Sequence, residues 1–523
     1  MESKREPAQT VPLPAALDRG SPVSLAHQLS DLIRGRIERG ELRSGDRLPT
    51  EMEFCGTFGL SRTPVRRALG ELTRQGLLVR FPGRGTFVSE QAGHLHVVKP
   101  IQIVVTLPDD RWCWPLQEAA ARWAADCPEQ PVRLTFGVVG MTHLRSRLRH
   151  AVARGDAGDI ALIDSAWVTE FADLGYVQSL HGIEPGVADD LAADLIEPLR
   201  SENVYRGELY GVPSEADLTL LWYRRDWFTA ERIDPPGTWG AWIDAATHFL
   251  APDVRRRYRL GAYPLAFCGG AAGGETTTYQ LLPLLWSGGA DVIADHLVVL
   301  NSPKACQVVE FVRDLVRTYR IAAPFVVEEP WNGPALAFAA GEVAMAIGGS
   351  YESGVIRAAA GWDDETFRAR VGFVPIPAGD GGQPSTLVGG ISYAVFRQSR
   401  KPLLALELLA RAMRPDVLLP FCATTGQNPP TISATRALDP DRHAFLHASS
   451  RLFDHARVRW PIVEYARVSH QIARMFETVI LGDLDPAEAV ARAAAVIGGI
   501  TGIPERGGVR SSWLAGRTGA RRR

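Results

Sequence analysis

Arg62, Arg66, Arg67, Arg74 and Arg80 crowd one short stretch of the chain, SRTPVRRALGELTRQGLLVR. A guanidinium is a planar fork of donors that matches guanine edges and phosphate oxygens. Arg62 and Arg66 are four residues apart, so on a helix they project together. Ser61 and Thr63 place small hydroxyls beside them, suited to a nucleic-acid backbone. The plain alternative is a solvated arginine face on an ordinary amphipathic helix. The neighbouring segments decide between the two.

Leu25, Leu29, Leu32, Ile33 and Ile37 recur at three- and four-residue steps and predict a helix that Gly40 ends. GELRSGDRLP is a turn. Thr50 and Glu53 have capping-box spacing ahead of a second short helix, closed by Gly56 and Gly59. Ser61 then stands where its hydroxyl caps a third helix, with Pro64 in the first turn. Val65, Ala68, Leu69 and Leu72 form that helix's core face, and Gly76 stops it. LLVRF and GTFVS alternate as two strands around PGRG. The order is three helices and a two-stranded wing, which argues against the solvated-face alternative.

GELRSGDRLPTEMEF followed by GLSRTPVRRALGELTRQGLLVRFPGRGTFV resembles the GntR-type winged helix-turn-helix over about residues 25–88. In that family the start of the third helix enters the major groove and the wing tip approaches the minor groove. Carried over by position, the resemblance implies that Ser61, Arg62, Thr63 and Arg66 meet operator DNA. Gly83 stands at the wing tip, and Arg67 and Arg84 join the same surface. The family often has arginine where this chain has Met52, so one contact is missing or the operator differs there.

Residues 90–100 lack periodicity and are expected to be a linker. From Ile101 strands and helices alternate: IQIVVTLP, Pro115 to Ala125, RLTFGVV, Met141 to Arg154, DIALID. That succession predicts an α/β fold with parallel strands. GDIALIDSAWVTEFADLGYVQSL, YRGELYGVPSEADLTLLWYRRDWF, PPGTWGAWIDAA, FAAGEVAMAIGGSYE and VGFVPIPAG…TLVGGISYAVF resemble, in order, passages of the extracellular solute-binding proteins of sugar importers. The resemblance implies a two-lobed, periplasmic-binding-protein-like (type II) fold around a cleft. Crossings are expected near Pro213–Asp217 and Gly389–Tyr393, with a third after Phe421. The expected division is 1–20 disordered, 21–89 winged helix, 101–505 ligand domain and 506–523 basic tail. Lobe 1 takes 101–213 and 392–420, and lobe 2 takes 218–388 and 425–505.

Sugars present flat C–H faces and many hydroxyls, and call for aromatic platforms with carboxylate or amide partners. The resemblance and loop placement select Trp112, Asp164, Trp167, Glu215, Asp217, Trp286, Trp331, Gly349, Tyr351 and Gly390. Asp164 has a second reading as a helix cap, and Glu215 and Asp217 as surface charges at a hinge. Trp222, Trp227, Trp239 and Trp242 lie in periodic segments and are expected in the core. Thr431 and Ile432 stand where the family often has an arginine.

The bulk properties agree with this division. The net charge is −2, apolar residues make up 46% and charged residues 22%, as in ordinary soluble protein. Residues 1–99 carry 15 Lys+Arg against 11 Asp+Glu. No signal-type apolar run opens the chain and no stretch is long enough to cross a membrane, so a cytoplasmic protein is expected. The six cysteines form no CxxC pair. Free thiols are expected, although a Cys113–Cys127 disulfide is conceivable. His94 and His96 have no further ligands at metal-site spacing. The four lysines lie in no pyridoxal-binding motif, and no GxSxG, HExxH or GxxxxGK[ST] string occurs.

Together these readings predict a DNA-binding, ligand-responsive regulator without cofactor, metal or catalytic role. It is expected to be a homodimer on operator DNA with a mono- or oligosaccharide effector. The alternatives are a solute-binding component of an importer, and a constitutive DNA binder whose large domain holds no ligand.

Overall fold

The computed structural model describes residues 17, 24–38, 41–81, 84–89 and 101–506. Gly40, Gly83, the 90–100 linker with His94 and His96, nearly all of 1–20 and the tail beyond Arg506 lie outside the described residues. The chain divides into two compact units, Met1–Ala153 with Gly158–Ile160, and Arg154–Ala157 with Ala161–Arg523.

The first unit opens with α1 (Leu25–Glu38), α2 (Glu51–Phe58) and α3 (Arg62–Arg74), then β1 (Leu78–Phe81) and β2 (Gly85–Val88). The apolar stripes meet in one core of Leu29, Ile33, Phe54, Val65, Leu69, Leu72, Leu78 and Val88. Burying such side chains contributes about 1.5–3 kcal/mol each. Both halves of the capping box form: Thr50 Oγ1 accepts from Glu53 N (3.3 Å), and Thr50 N donates to Glu53 Oε2 (2.7 Å). Ser61 does occupy the N-cap of α3, but its hydroxyl makes no capping hydrogen bond. That expectation is corrected: position alone set the helix start, and the hydroxyl is left exposed. The wing is antiparallel, from Leu78 opposite Val88 to Phe81 opposite Gly85.

In the same unit β3 (Ile101–Leu107) and β4 (Val132–Val138) run parallel, Ile101 opposite Val132 and Leu107 opposite Val138. Between them α4 (Cys113–Asp126) buries Leu116, Ala119 and Trp123, and α5 (Met141–Arg154) follows. Arg133 of β4 and Asp31 of α1 form an ion pair at 3.5 Å.

The second unit takes β5 (Ile160–Asp164) from its second residue. There the strand 391–395 lies between β5 and the strand 211–213. A second sheet is built on Asp217–Arg224, all eight residues of which are buried. Met345–Gly349, Val371–Val374 and Thr386–Gly389 all pair with it antiparallel. Parallel pairing recurs only at short flanks, as between Leu265–Ala266 and Met345–Gly349. This sheet is therefore mixed, where alternating elements alone suggested parallel strands. The cause is topological: Asp217–Arg224 enters from one sheet and Thr386–Gly389 returns to it. The helices Glu275–Ser287, Pro303–Arg317, Tyr465–Leu481 and Pro486–Thr501 pack in one large apolar core. All six cysteines are free, so no Cys113–Cys127 bridge forms.

Candidate nucleic-acid interface and candidate ligand site

On the winged helix, Ser61, Arg62, Thr63, Arg66 and Arg67 are all exposed, because Val65, Ala68 and Leu69 turn the other face of α3 inward. Arg84, beside the wing turn, is exposed too. Arg66 is not idle. Its Nε donates to Glu51 Oε2 at 2.8 Å, and Arg80 donates to Glu51 Oε1 at 3.1 Å. Hydrogen bonding from Arg66 holds the Glu51 carboxyl below its ordinary range, and Arg80 adds to this. Met52 is 67% exposed, and its sulfur lies 3.6 Å from the Arg62 guanidinium. Glu51 went unselected in the sequence, although it stands one residue past a capping threonine and beside the core.

The ligand candidates divide by position. Trp112, in the first unit, ends a 3₁₀ turn after β3 and is buried. Trp167 ends the turn after β5 and is half-buried. Trp286 is corrected: it sits in the last turn of the helix Glu275–Ser287, within the core, not in a loop. Its indole N–H donates to Asp291, and Arg457 lies over its ring at 4.4 Å. Trp222 and Trp242 are fully buried, Trp227 is buried, and Trp239 stacks on Phe311.

Glu215 and Asp217 are not surface charges, since both are buried at the point where the chain passes between sheets. Glu215 accepts from Ile391 N at 2.7 Å and from the Ser214 hydroxyl. It therefore clamps the two crossing segments together. Gly390, at φ 149°, lies against this clamp, and a Cβ there would come within 2.9 Å of the Glu215 carbonyl oxygen.

Asp217 opens the central strand and pairs with Gly389. On the neighbouring strand the Tyr351 ring lies over Gly349, where any Cβ would collide with it. Tyr279 tilts against Tyr351 at 6.1 Å, and the exposed Trp331 at 6.5 Å. Behind them lies the fully buried Glu352, and a Cβ placed on Gly348 would collide with its carboxylate and come within 3.0 Å of the Trp222 indole nitrogen. Burial pushes its carboxyl up to about 8; Asp217 adds to the rise, and the Gly349 and Trp222 N–H groups pull the other way. Asp217, Gly349, Tyr351 and Trp331 thus share one neighbourhood with Tyr279 and Glu352, neither of which the sequence had singled out.

Asp164 caps the turn after β5 by accepting from Ala166 N at 3.0 Å, and also faces Arg459 at 3.0 Å. The capping reading of Asp164 therefore holds, and its carboxylate is also engaged by a buried arginine. Arg459, 2% exposed, binds Glu202 at 2.8 Å and Glu275 at 3.3 Å, and donates to Ser165 Oγ at 2.8 Å. Tyr465 and Ser469 donate to Glu275, each at 2.5 Å. Burial raises the Glu202 and Glu275 carboxyls, against the pull of Arg459. Burial opposes the Arg459 charge, yet Asp164 and Glu202 hold it firmly protonated. A further open cavity is lined by Arg357, Arg368, Arg442, His443 and Phe445 among others, and none of the sequence-selected residues lines it.

Among the described residues, no group of three or more His, Cys, Asp or Glu is placed to hold a metal, and no helix is long and apolar enough to cross a membrane.

The profile of the bacterial extracellular solute-binding protein family matches residues 115–417, and that of the bacterial regulatory proteins of the gntR family matches 25–88. A putative binding protein of Brucella abortus is 23% identical over 366 residues, covering 70% of this chain and 84% of its own. The HTH-type transcriptional repressor NagR of Bacillus subtilis is 42% identical over 74 residues, 14% of this chain and 30% of the repressor. Among solved structures, maltose-bound MalE3 of T. maritima superposes with a TM-score of 0.65 at 21% identity, covering 76% of this chain and 99% of that one. The GacH receptor of Streptomyces glaucescens, solved unliganded and with acarbose, gives 0.66 at 21%, covering 78% and 100%.

Proposed function

Because the chain belongs to the bacterial extracellular solute-binding protein family and carries a gntR-family regulatory domain ahead of that region, we propose that it is a one-component transcription regulator. A small polyhydroxylated effector in the 101–505 domain would set the affinity of the 21–89 winged helix for operator DNA. The observation that carries this reading is the presence on one chain of an exposed arginine face and a buried carboxylate–aromatic cluster. Arg62, Arg66, Arg67 and Arg84 would engage phosphates and base edges, with Ser61, Thr63 and Gly83. Asp217, Tyr351 and Trp331 would hold the effector, with Gly349 and Gly390 giving backbone access. Asp164, Trp167, Glu215 and Trp286 would support the cleft walls.

An effector can shift DNA binding only by favouring one arrangement of the chain over another. Lobe closure in a homodimer would do so by changing the spacing of two heads against palindromic half-sites. The proposed place of action is the cytoplasm. Maltose and acarbose, bound by the two neighbours named above, make saccharides the first effectors to try.

The test is fluorescence anisotropy of operator DNA, selected from a random pool, with and without a panel of mono- and oligosaccharides. Thermal stability is followed in parallel, since a native-state ligand raises it. Unchanged DNA affinity and unchanged stability across the panel would remove the sensor reading. A second reading, an importer's binding component, is supported by the match of residues 115–417 to the extracellular solute-binding protein family; recovery of the protein in the cell-envelope fraction would establish it.

A further inference from the structure

Two neighbouring side chains on the exposed face of the winged helix have unlike chemistry. Met52, the second residue of α2, is 67% exposed, more than any other large apolar side chain among the described residues. Arg62, the first residue of α3, is exposed beside it, and its Nη2 lies 3.6 Å from the Met52 sulfur. A thioether sulfur is a weak acceptor, so this contact holds the guanidinium loosely. Arg62 has no carboxylate partner among the described residues, whereas Arg66 and Arg80 are both drawn to Glu51.

A surface that met phosphates alone would have no use for Met52. Its methyl and thioether gain nothing from an anion, and they gain by leaving water for an apolar partner. In the major groove the apolar group on the base edges is the C5 methyl of thymine. The first residues of a recognition helix contact base edges in that groove. Arg62 is such a residue, and its fork matches guanine O6 and N7. The 3.6 Å from its nitrogen to the Met52 sulfur is close to the rise of about 3.4 Å between successive base pairs. The two side chains are therefore spaced to meet adjacent base pairs, one through hydrogen bonds and one through apolar contact.

We propose that Met52 is a specificity-determining residue for DNA: its thioether packs on the C5 methyl of a thymine in the base pair next to a guanine held by Arg62. This rests on the operator-binding reading above and narrows the sequence that is selected. Arg62 exchanges its weak contact with sulfur for the guanine edge, and the freed thioether loses water to the thymine methyl. A cytosine in the same place lacks that methyl and gives the thioether less to cover.

The experiment uses the full-length protein and DNA sites selected from a random pool by the wild type and by Arg62→Ala, Met52→Ala and Met52→Arg. All three changes fall on exposed side chains, where the fold tolerates substitution. Arg62→Ala identifies the guanine, as the position whose preference it removes. The wild type should select a thymine in the base pair beside it. Met52→Ala should keep the guanine and lose the thymine preference, and Met52→Arg should turn that preference to guanine. Fluorescence anisotropy then compares the selected site with one carrying deoxyuridine for that thymine, which removes the methyl alone. The wild type should bind the deoxyuridine site about fourfold more weakly, the worth of one buried methyl group. Met52→Ala should bind both alike, a result that a merely structural role for Met52 would not give. Equal binding of the two sites by the wild type, or a selected site with no thymine beside the guanine, would overturn this inference and leave the operator-binding reading standing. A pool that yields no preferred sequence would overturn both.

Discussion

The Arg459 guanidinium and the Glu202 carboxylate meet at 2.8 Å with side chains 2% and 1% exposed. They are 257 residues apart in the chain. Removing one partner of a buried pair strands the other charge, which costs about 3–5 kcal/mol. Arg459→Met should therefore lower the stability of the second unit by about that amount, since Asp164, Glu202 and Glu275 all lose their base. Glu202→Gln should cost less, because Asp164 and Glu275 still neutralise the arginine. Urea unfolding followed by tryptophan fluorescence measures both, and equal losses would show that Glu202 is the only partner that matters.

Stability should fall as pH rises from about 5 towards 8. Glu352 titrates at about 8 when folded, against an ordinary value of 4.5. The folded chain therefore holds a proton that the unfolded chain gives up, and the stability linked to that proton is present at low pH and lost through this window. Glu352→Gln should flatten the slope. The pH series of urea midpoints for the two proteins is the measurement, and parallel curves would remove Glu352 as the cause.

Glu51→Gln should tighten binding to DNA of any sequence, because it frees Arg66 and Arg80 from a carboxylate and removes negative charge from the same face. Arg66→Ala should weaken binding and reduce the salt slope by about 0.9 if it meets one phosphate. Anisotropy titrations across salt concentrations give both quantities. An unchanged slope in Arg66→Ala would place that side chain off the DNA backbone.

Gly390→Ala should destabilise the crossing by about 1–3 kcal/mol. The backbone there has φ 149°, and the new methyl would press on the Glu215 carbonyl oxygen. A neutral outcome in thermal unfolding would mean that the crossing yields more easily than this packing suggests.

What the sequence made legible was local. The Thr50–Glu53 box and the α3 stripe are set by neighbours within four residues, and periodicity reads them directly. The ordered passages from Ile101 onward carried the two-lobed fold. What escaped was assembled from afar: Arg459 reaches Ser165 across 294 residues, and no spacing rule connects them. Trp286 misled because WSGGAD has the glycines of a loop. Those glycines end a helix, and the tryptophan lies just inside it, on the core side. Tyr279 was hidden in an apolar helix and Glu352 behind a quoted tyrosine. In both cases burial, which sequence alone does not give, is what makes the residue chemically unusual.

The Glu51 tie on Arg66 and Arg80 bears on how a DNA-binding head of this kind would search for its site. A phosphate arriving at these arginines would have to displace a carboxylate already in place, rather than loosely held water. Random DNA would repeat that exchange at every step and gain little from it, whereas base edges that fit would add contacts Glu51 cannot supply. The free head is partly neutralised by its own acid, which would shorten its stay on wrong sequences and speed a search for the right one.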